Sequence, residues 1–120
     1  MKIIKIEDVP EVSRSGGIFT GTVALKPLVG NKTGAKDLSV TIVNFPRGVR
    51  NTFHTHTYDQ VLFVLSGKGT IANEKHQVTL SEGMVSFIPA GEKHWHGASE
   101  DSEFSHISIL RPGQTKGADI

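Results

Sequence analysis

The chain of 120 residues contains no cysteine. Disulfides and thiolate ligands are excluded, and any bound metal must be held by nitrogen and oxygen. Charge of one sign is also lacking: thirteen Lys and Arg stand against twelve Asp and Glu, a formal net charge of +1. Without a concentrated field, neither a nucleic-acid footprint nor a polybasic membrane patch is expected. Long hydrophobic runs are missing as well. No stretch of eighteen apolar residues occurs, and the opening Met-Lys-Ile-Ile-Lys-Ile-Glu-Asp has no apolar segment of the signal-peptide kind. The expectation is a soluble, cytoplasmic chain in which the sequon Asn31-Lys32-Thr33 carries no sugar. Amphipathic helices, internal repeats and linkers are absent from the pattern too.

What is present is glycine, thirteen of them, and five prolines, with short segments between. Ile3–Ile6 reads as a short edge strand and Ile18–Leu25 as a strand after the Gly16-Gly17 turn. Pro27–Lys36 reads as loop. Leu38–Phe45 alternates, with Val40, Ile42 and Asn44 on one face and Thr41, Val43 and Phe45 on the other. Gln60–Leu65 is apolar on both faces, as a strand covered on both sides should be. Gly67-Lys68-Gly69 reads as a turn, and Thr70–Ala72 and Gln77–Leu80 flank a hairpin tip at Asn73-Glu74-Lys75. Met84–Ile88 and Phe104–Leu110 complete the set, and 111–120 is expected to trail off as a flexible tail. Short strands at this spacing, with turn chemistry between them, predict one all-β domain, a sandwich or barrel.

Two segments carry the chemistry. The first is Gly48-(five residues)-His54-Thr55-His56-(three)-Gln60-(six)-Gly67; the second is Gly83-(five)-Pro89-Ala90-Gly91-(two)-His94. Side chains alternate along an extended strand, so His54 and His56 point the same way, and Gln60 joins them if the chain stays extended. The 33 residues between Gln60 and His94 suffice for a hairpin out and back that returns His94 from another strand. The expected metal ligands are therefore His54, His56, Gln60 and His94.

These segments, motif 1 over 48–67 and motif 2 over 83–98, resemble the paired motifs of the cupin superfamily. That resemblance implies a double-stranded β-helix, or jelly-roll barrel. Motif 1 has Gln60 where glutamate is usual, and motif 2 has Ala98 where asparagine is usual. Phe19-Thr20-Gly21-Thr22-Val23, His54-Thr55-His56 with Gln60, and Pro89–Ala98 resemble the small bacterial cupins that include manganese-dependent hydroxynitrile lyases. In that group the three histidines and the glutamine hold the metal, and a histidine in the last strand, matched by His106, acts as base. Thr57, Asp59 and Asn51 depart from that pattern on the approach to the metal, so the resemblance does not carry the substrate over.

Imidazole nitrogen with an amide oxygen suits one divalent transition metal; manganese leads, with Fe, Zn, Ni, Co and Cu open. A neutral Gln60 in place of a carboxylate leaves the ion its full charge, which favours Lewis-acid over oxygen-activating chemistry. His106 shares a strand face with Phe104, Ser108 and Leu110. Facing inward, it would be a proton shuttle with an ordinary pKa of about 6.5; the competing reading is a core histidine satisfied by backbone or water. His96 is expected to hydrogen-bond behind the ligands, His76 to be solvated, and Trp95 and Phe53 to pack between sheets. The function expected is lyase- or isomerase-type chemistry on a small hydroxy- or carbonyl-containing molecule. The alternatives are a dioxygenase and a non-catalytic metal- or ligand-binding cupin. Val61, Phe63, Leu65, Ile107, Ile109 and the Ile3-Ile4 patch, facing outward, point to a homodimer.

Overall fold

In the computed structural model, which describes residues 1–117, ten strands form one curled antiparallel sheet, a half-barrel. They are β1 (Val12–Arg14), β2 (Val23–Val29), β3 (Ser39–Phe45), β4 (His54–His56), β5 (Gln60–Asn73), β6 (Gln77–Ser81), β7 (Val85–Ile88), β8 (His94–Ala98), β9 (Phe104–Leu110) and β10 (Thr115–Gly117). The order is β1-β2-β3-β9-β5-β8-β4-β10, with β6 and β7 also pairing with β5. The all-β, cupin-type expectation holds. Among the described residues no helix is long and apolar enough to cross a membrane.

The spine is β5. Its first half pairs with β9 and β7, and its second half pairs with β8 and β6. One continuous strand thus belongs to both walls, which corrects the expected turn at Gly67-Lys68-Gly69. The glycines mark a bend instead. A register shift falls between Val64 and Ser66, and Gly67 has φ +76°, with the Glu103 carbonyl where a Cβ would stand. Only glycine permits that close approach while the strand changes wall.

Other boundaries move for similar long-range reasons. Ile3–Ile6 forms no strand; a 3-10 turn covers Ile6–Asp8, and the edge strand is β1, paired with β2. The strand expected at 18–25 begins at Val23 and continues through Pro27 to Val29, into the expected loop. Pro27 lies beyond the last β1 pair at Leu25 and next to a register irregularity with β3, the kind of edge or bulge position where proline is tolerated. The tail expected from residue 111 is corrected too: β10 pairs with β4, Thr115 opposite His56 and Gly117 opposite His54. The rest of the expected tail, 118–120, lies outside the described residues.

Period-two alternation sets the core. Val23, Val43, Phe45, Val64, Leu80, Ala98 and Phe104 form one buried cluster. Truncating Phe45 or Phe104, 2% and 1% exposed, should cost about 3–5 kcal/mol each. On the opposite face of β5, Phe63 is 42% exposed, while Val61, Leu65, Ile107 and Ile109 are only half-buried. Strand β7 extends that face: Val85, opposite Phe63, is 57% exposed and Phe87, opposite Val61, is 61% exposed.

Candidate metal centre

Strand β4 has three residues in a buried–half-buried–buried pattern, so His54 and His56 turn inward and Thr55 outward. His94 opens β8 directly opposite His54. The sheet therefore sets the three imidazoles side by side, with ring centroids 4.7 Å (His54–His56), 4.3 Å (His54–His94) and 5.2 Å (His56–His94) apart. One nitrogen from each lies within 4.8 Å of the others, a group that can hold a metal ion.

The outward ring nitrogens are anchored. His54 Nδ1 meets the Thr52 carbonyl at 2.6 Å and His94 Nδ1 the Glu92 carbonyl at 2.8 Å. A carbonyl can only accept, so both rings carry their proton on Nδ1 and keep the Nε2 lone pair free. His56 Nδ1 meets Thr115 Oγ1 at 2.9 Å. The Nε2 atoms of His56 and His94 are buried with no partner in the protein.

Gln60 does not reach the site by continued extension, because residues 57–59 leave the strand and β5 starts afresh at Gln60. Its amide nitrogen donates to Ser108 Oγ at 2.9 Å, which turns Oε1 away; that oxygen is buried and unpartnered. The three grouped imidazoles, with the neutral amide oxygen of Gln60 beside His56, could hold a divalent ion.

Burial keeps these rings neutral. It lowers His54 to about 4, assisted by neighbouring His94 and His56 and opposed by the Thr52 carbonyl. It lowers His56 to about 4 and also depresses His94. Neutral imidazole is the form that binds metal, so no proton need be displaced near neutral pH.

A cavity of about 540 Å3 opens in front, lined by His54, His56 and Gln60 and, deeper, by His96 and His106. His106 is fully buried on β9, packed 5.6 Å from Phe45 and 5.4 Å from Phe104 between ring centroids. Neither of its nitrogens makes a well-formed hydrogen bond to the protein, and burial, opposed by the nearby backbone of Ile107 and His106, lowers it to about 3. It lines the cavity as a neutral imidazole.

His96 is buried and hydrogen-bonds to Asn51, as expected, but it lines the cavity rather than lying behind the ligands. His76 is exposed. Trp95 and Phe53 are not packed between sheets. They are half-buried and carry cations, Arg50 3.7 Å from the Trp95 ring and Lys93 5.4 Å from Phe53.

Two supporting groups escaped the sequence reading. Thr115 buttresses His56 from a segment expected to be loose. Tyr58, whose placement the sequence leaves open, stacks on His56 at 4.8 Å and 13° and reaches Thr115 Oγ1 at 3.1 Å. No local pattern announces either, since Thr115 lies 59 positions from His56.

Comparison with known proteins agrees with this architecture. The cupin domain family matches residues 41–110. The (R)-mandelonitrile lyase of Granulicella tundricola is 35% identical over 102 residues, covering 84% of this chain and 77% of that protein. Among solved structures, a cupin-like protein of Thermotoga maritima is 32% identical, with a TM-score of 0.80 over 98% of this chain and 88% of that one. The polyketide cyclase RemF of Streptomyces resistomycificus, 18% identical, shares the fold, with a TM-score of 0.86 over 98% of this chain and 85% of that one. With its paired motifs on facing strands and its histidines gathered at one end of the half-barrel, the chain belongs to the cupin family.

Proposed function

We propose that this protein is a metal-dependent lyase that cleaves or forms a bond next to a hydroxyl or carbonyl carbon of a small organic molecule. Hydroxynitrile cleavage is the leading reaction. The ion is held by His54, His56, His94 and Gln60, with manganese as the first candidate. Bound there, it supplies a Lewis acid for a substrate oxygen. The observation that carries the reading is that a buried Gln60 Oε1 and the free edge of His56, which is grouped with His54 and His94, line the same cavity as the neutral His106.

Each residue has a task. Ser108 accepts from the Gln60 amide nitrogen and fixes the side chain, with the amide oxygen as the atom that would face the ion. Thr115 and Tyr58 fix the His56 ring. Phe19, Leu25, Val43 and Leu110 give the cavity apolar walls suited to an aryl or alkyl group. His106 accepts the substrate hydroxyl proton as the C–CN bond breaks and the carbonyl forms, and returns that proton to the departing cyanide, which leaves as HCN. A carboxylate-free donor set favours Lewis-acid over oxygen-consuming chemistry, and the likeness to a mandelonitrile lyase supports the same reading.

The test is release of benzaldehyde from mandelonitrile by protein purified without chelators, alongside elemental analysis. We expect about one metal per chain and turnover that His106→Ala reduces steeply at unchanged metal content. Protein with no stoichiometric metal, or full loading with no turnover across a panel of hydroxynitriles, would refute the proposal.

A further inference from the structure

The fourth histidine of the cluster carries information that the ligand set does not use. His96 lies on β8, two positions past His94, and is 4% exposed. Its backbone N–H donates to Asn51 Oδ1 at 2.7 Å, while Asn51 Nδ2 stands 3.2 Å from His96 Nε2. The first bond settles which end of the Asn51 amide is oxygen, because only an oxygen can accept there. The amide nitrogen must then face Nε2, and an NH2 group can only donate. His96 Nε2 is therefore an acceptor without a proton, and the proton of the neutral ring sits on Nδ1.

Asn51 cannot easily turn away. Its own N–H bonds the His96 carbonyl at 2.9 Å. Residues 49–52 are stitched between 18–20 and β8: Thr20 N–H bonds Arg50 O at 2.8 Å, Thr52 N–H bonds Ile18 O at 2.7 Å and Ala98 N–H bonds Val49 O at 2.9 Å. At the other edge of the ring, His96 Nδ1 is buried with no partner in the protein. The ring lines the same cavity as His106 and meets it edge to face at 5.0 Å.

We infer that Asn51 is a positioning residue that locks His96 in the Nδ1–H tautomer. His96 then enters the site only as a hydrogen-bond donor toward an acceptor atom of the bound molecule, and neither as a base nor as a metal ligand. Its Nε2 lone pair is occupied by the Asn51 amide and its Nδ1 lone pair by the proton. The consequence is a division of labour between two adjacent neutral imidazoles. His106 keeps a free lone pair and accepts; His96 gives. The donor role rests on the proposed function of the cavity, whereas the tautomer does not.

The experiment is a two-bond ring 1H–15N correlation spectrum of zinc-loaded protein labelled in histidine, with the His96 signals identified by their loss in His96→Gln. The expected pattern for His96 is a single neutral Nδ1–H tautomer. An Nε2–H pattern, or averaging of the two tautomers, would overturn the inference. Asn51→Asp offers only acceptor oxygens and should invert the pattern to Nε2–H. If that buried carboxylate prevents folding, Asn51→Leu, of similar volume and with no polar side-chain atoms, should let the two tautomers average. A His96 pattern unchanged in either folded variant would remove Asn51 from the role. The spectrum needs no substrate, so failure to cleave mandelonitrile and failure of the tautomer lock are read separately.

Discussion

His106 provides a quantitative check on the burial argument. Its pKa is lowered from 6.5 to about 3 because the folded protein gives a charged imidazole no solvent. Above 6.5 neither the folded nor the unfolded chain holds the proton, and this residue contributes no pH dependence. Below 6.5 the unfolded chain takes the proton and the folded chain does not, so stability falls as pH falls, until about pH 3. Each pH unit below 6.5 is worth about 1.4 kcal/mol. His106→Leu removes the group from both states. The stability of the variant relative to wild type should therefore rise by about 1.4 kcal/mol between about pH 7.5 and about pH 5.5. At about 0.25 kcal/mol per kelvin for a chain of this length, that is about 6 °C in relative Tm. Urea or thermal unfolding of both chelator-treated proteins at both pH values measures it, and the double difference cancels the packing change. At the higher pH the variant should be no less stable than wild type, because an apolar group replaces two ring nitrogens that no protein atom satisfies. A relative stability that does not change with pH would mean that His106 titrates in the folded protein as it does in the unfolded chain, and the burial reasoning would fail.

Removing metal should lower Tm, and manganese added back should restore it; a free concentration one hundred times Kd corresponds to about 2.7 kcal/mol. A chelator without effect on calorimetric unfolding would count against a resident ion. Thr115→Val deletes the partner of His56 Nδ1 and should weaken metal binding by about 10- to 100-fold with a near-normal Tm of the stripped protein; isothermal titration reads the first and scanning calorimetry the second. Gly97→Ala places a methyl group against the Arg50 backbone and 2.7 Å from the Val49 carbonyl, so a loss of about 2 kcal/mol or more is expected in urea unfolding. Phe63, Val85 and Phe87 form the exposed apolar face, which we expect a second copy to cover. Phe87→Asp should then shift the sedimentation coefficient from dimer to monomer, and a wild-type protein that sediments as monomer at micromolar concentration would refute the pairing.

Much of this protein was legible in the order of its residues, for one physical reason. Alternation along an extended chain is a local property, so His54 with His56, the inward Phe104-His106-Ser108 face and the core positions Val43 and Phe45 needed only parity. The spacing of glycines around the two histidine segments carried the rest of the family likeness. Tertiary structure alone decided what depends on a partner far along the chain. It ran β5 through Gly67–Gly69, where a turn was expected, because Gly67 lets the Glu103 carbonyl approach and Gly69 the Gly97 carbonyl and the Phe104 ring. It turned the expected tail into β10, because β4 has an open edge for Thr115–Gly117 to pair with. It set Asn51 against His96, 45 positions away, and with it the side of that ring on which the proton sits. Such pairings depend on chain closure over dozens of residues, and no window of sequence holds both partners.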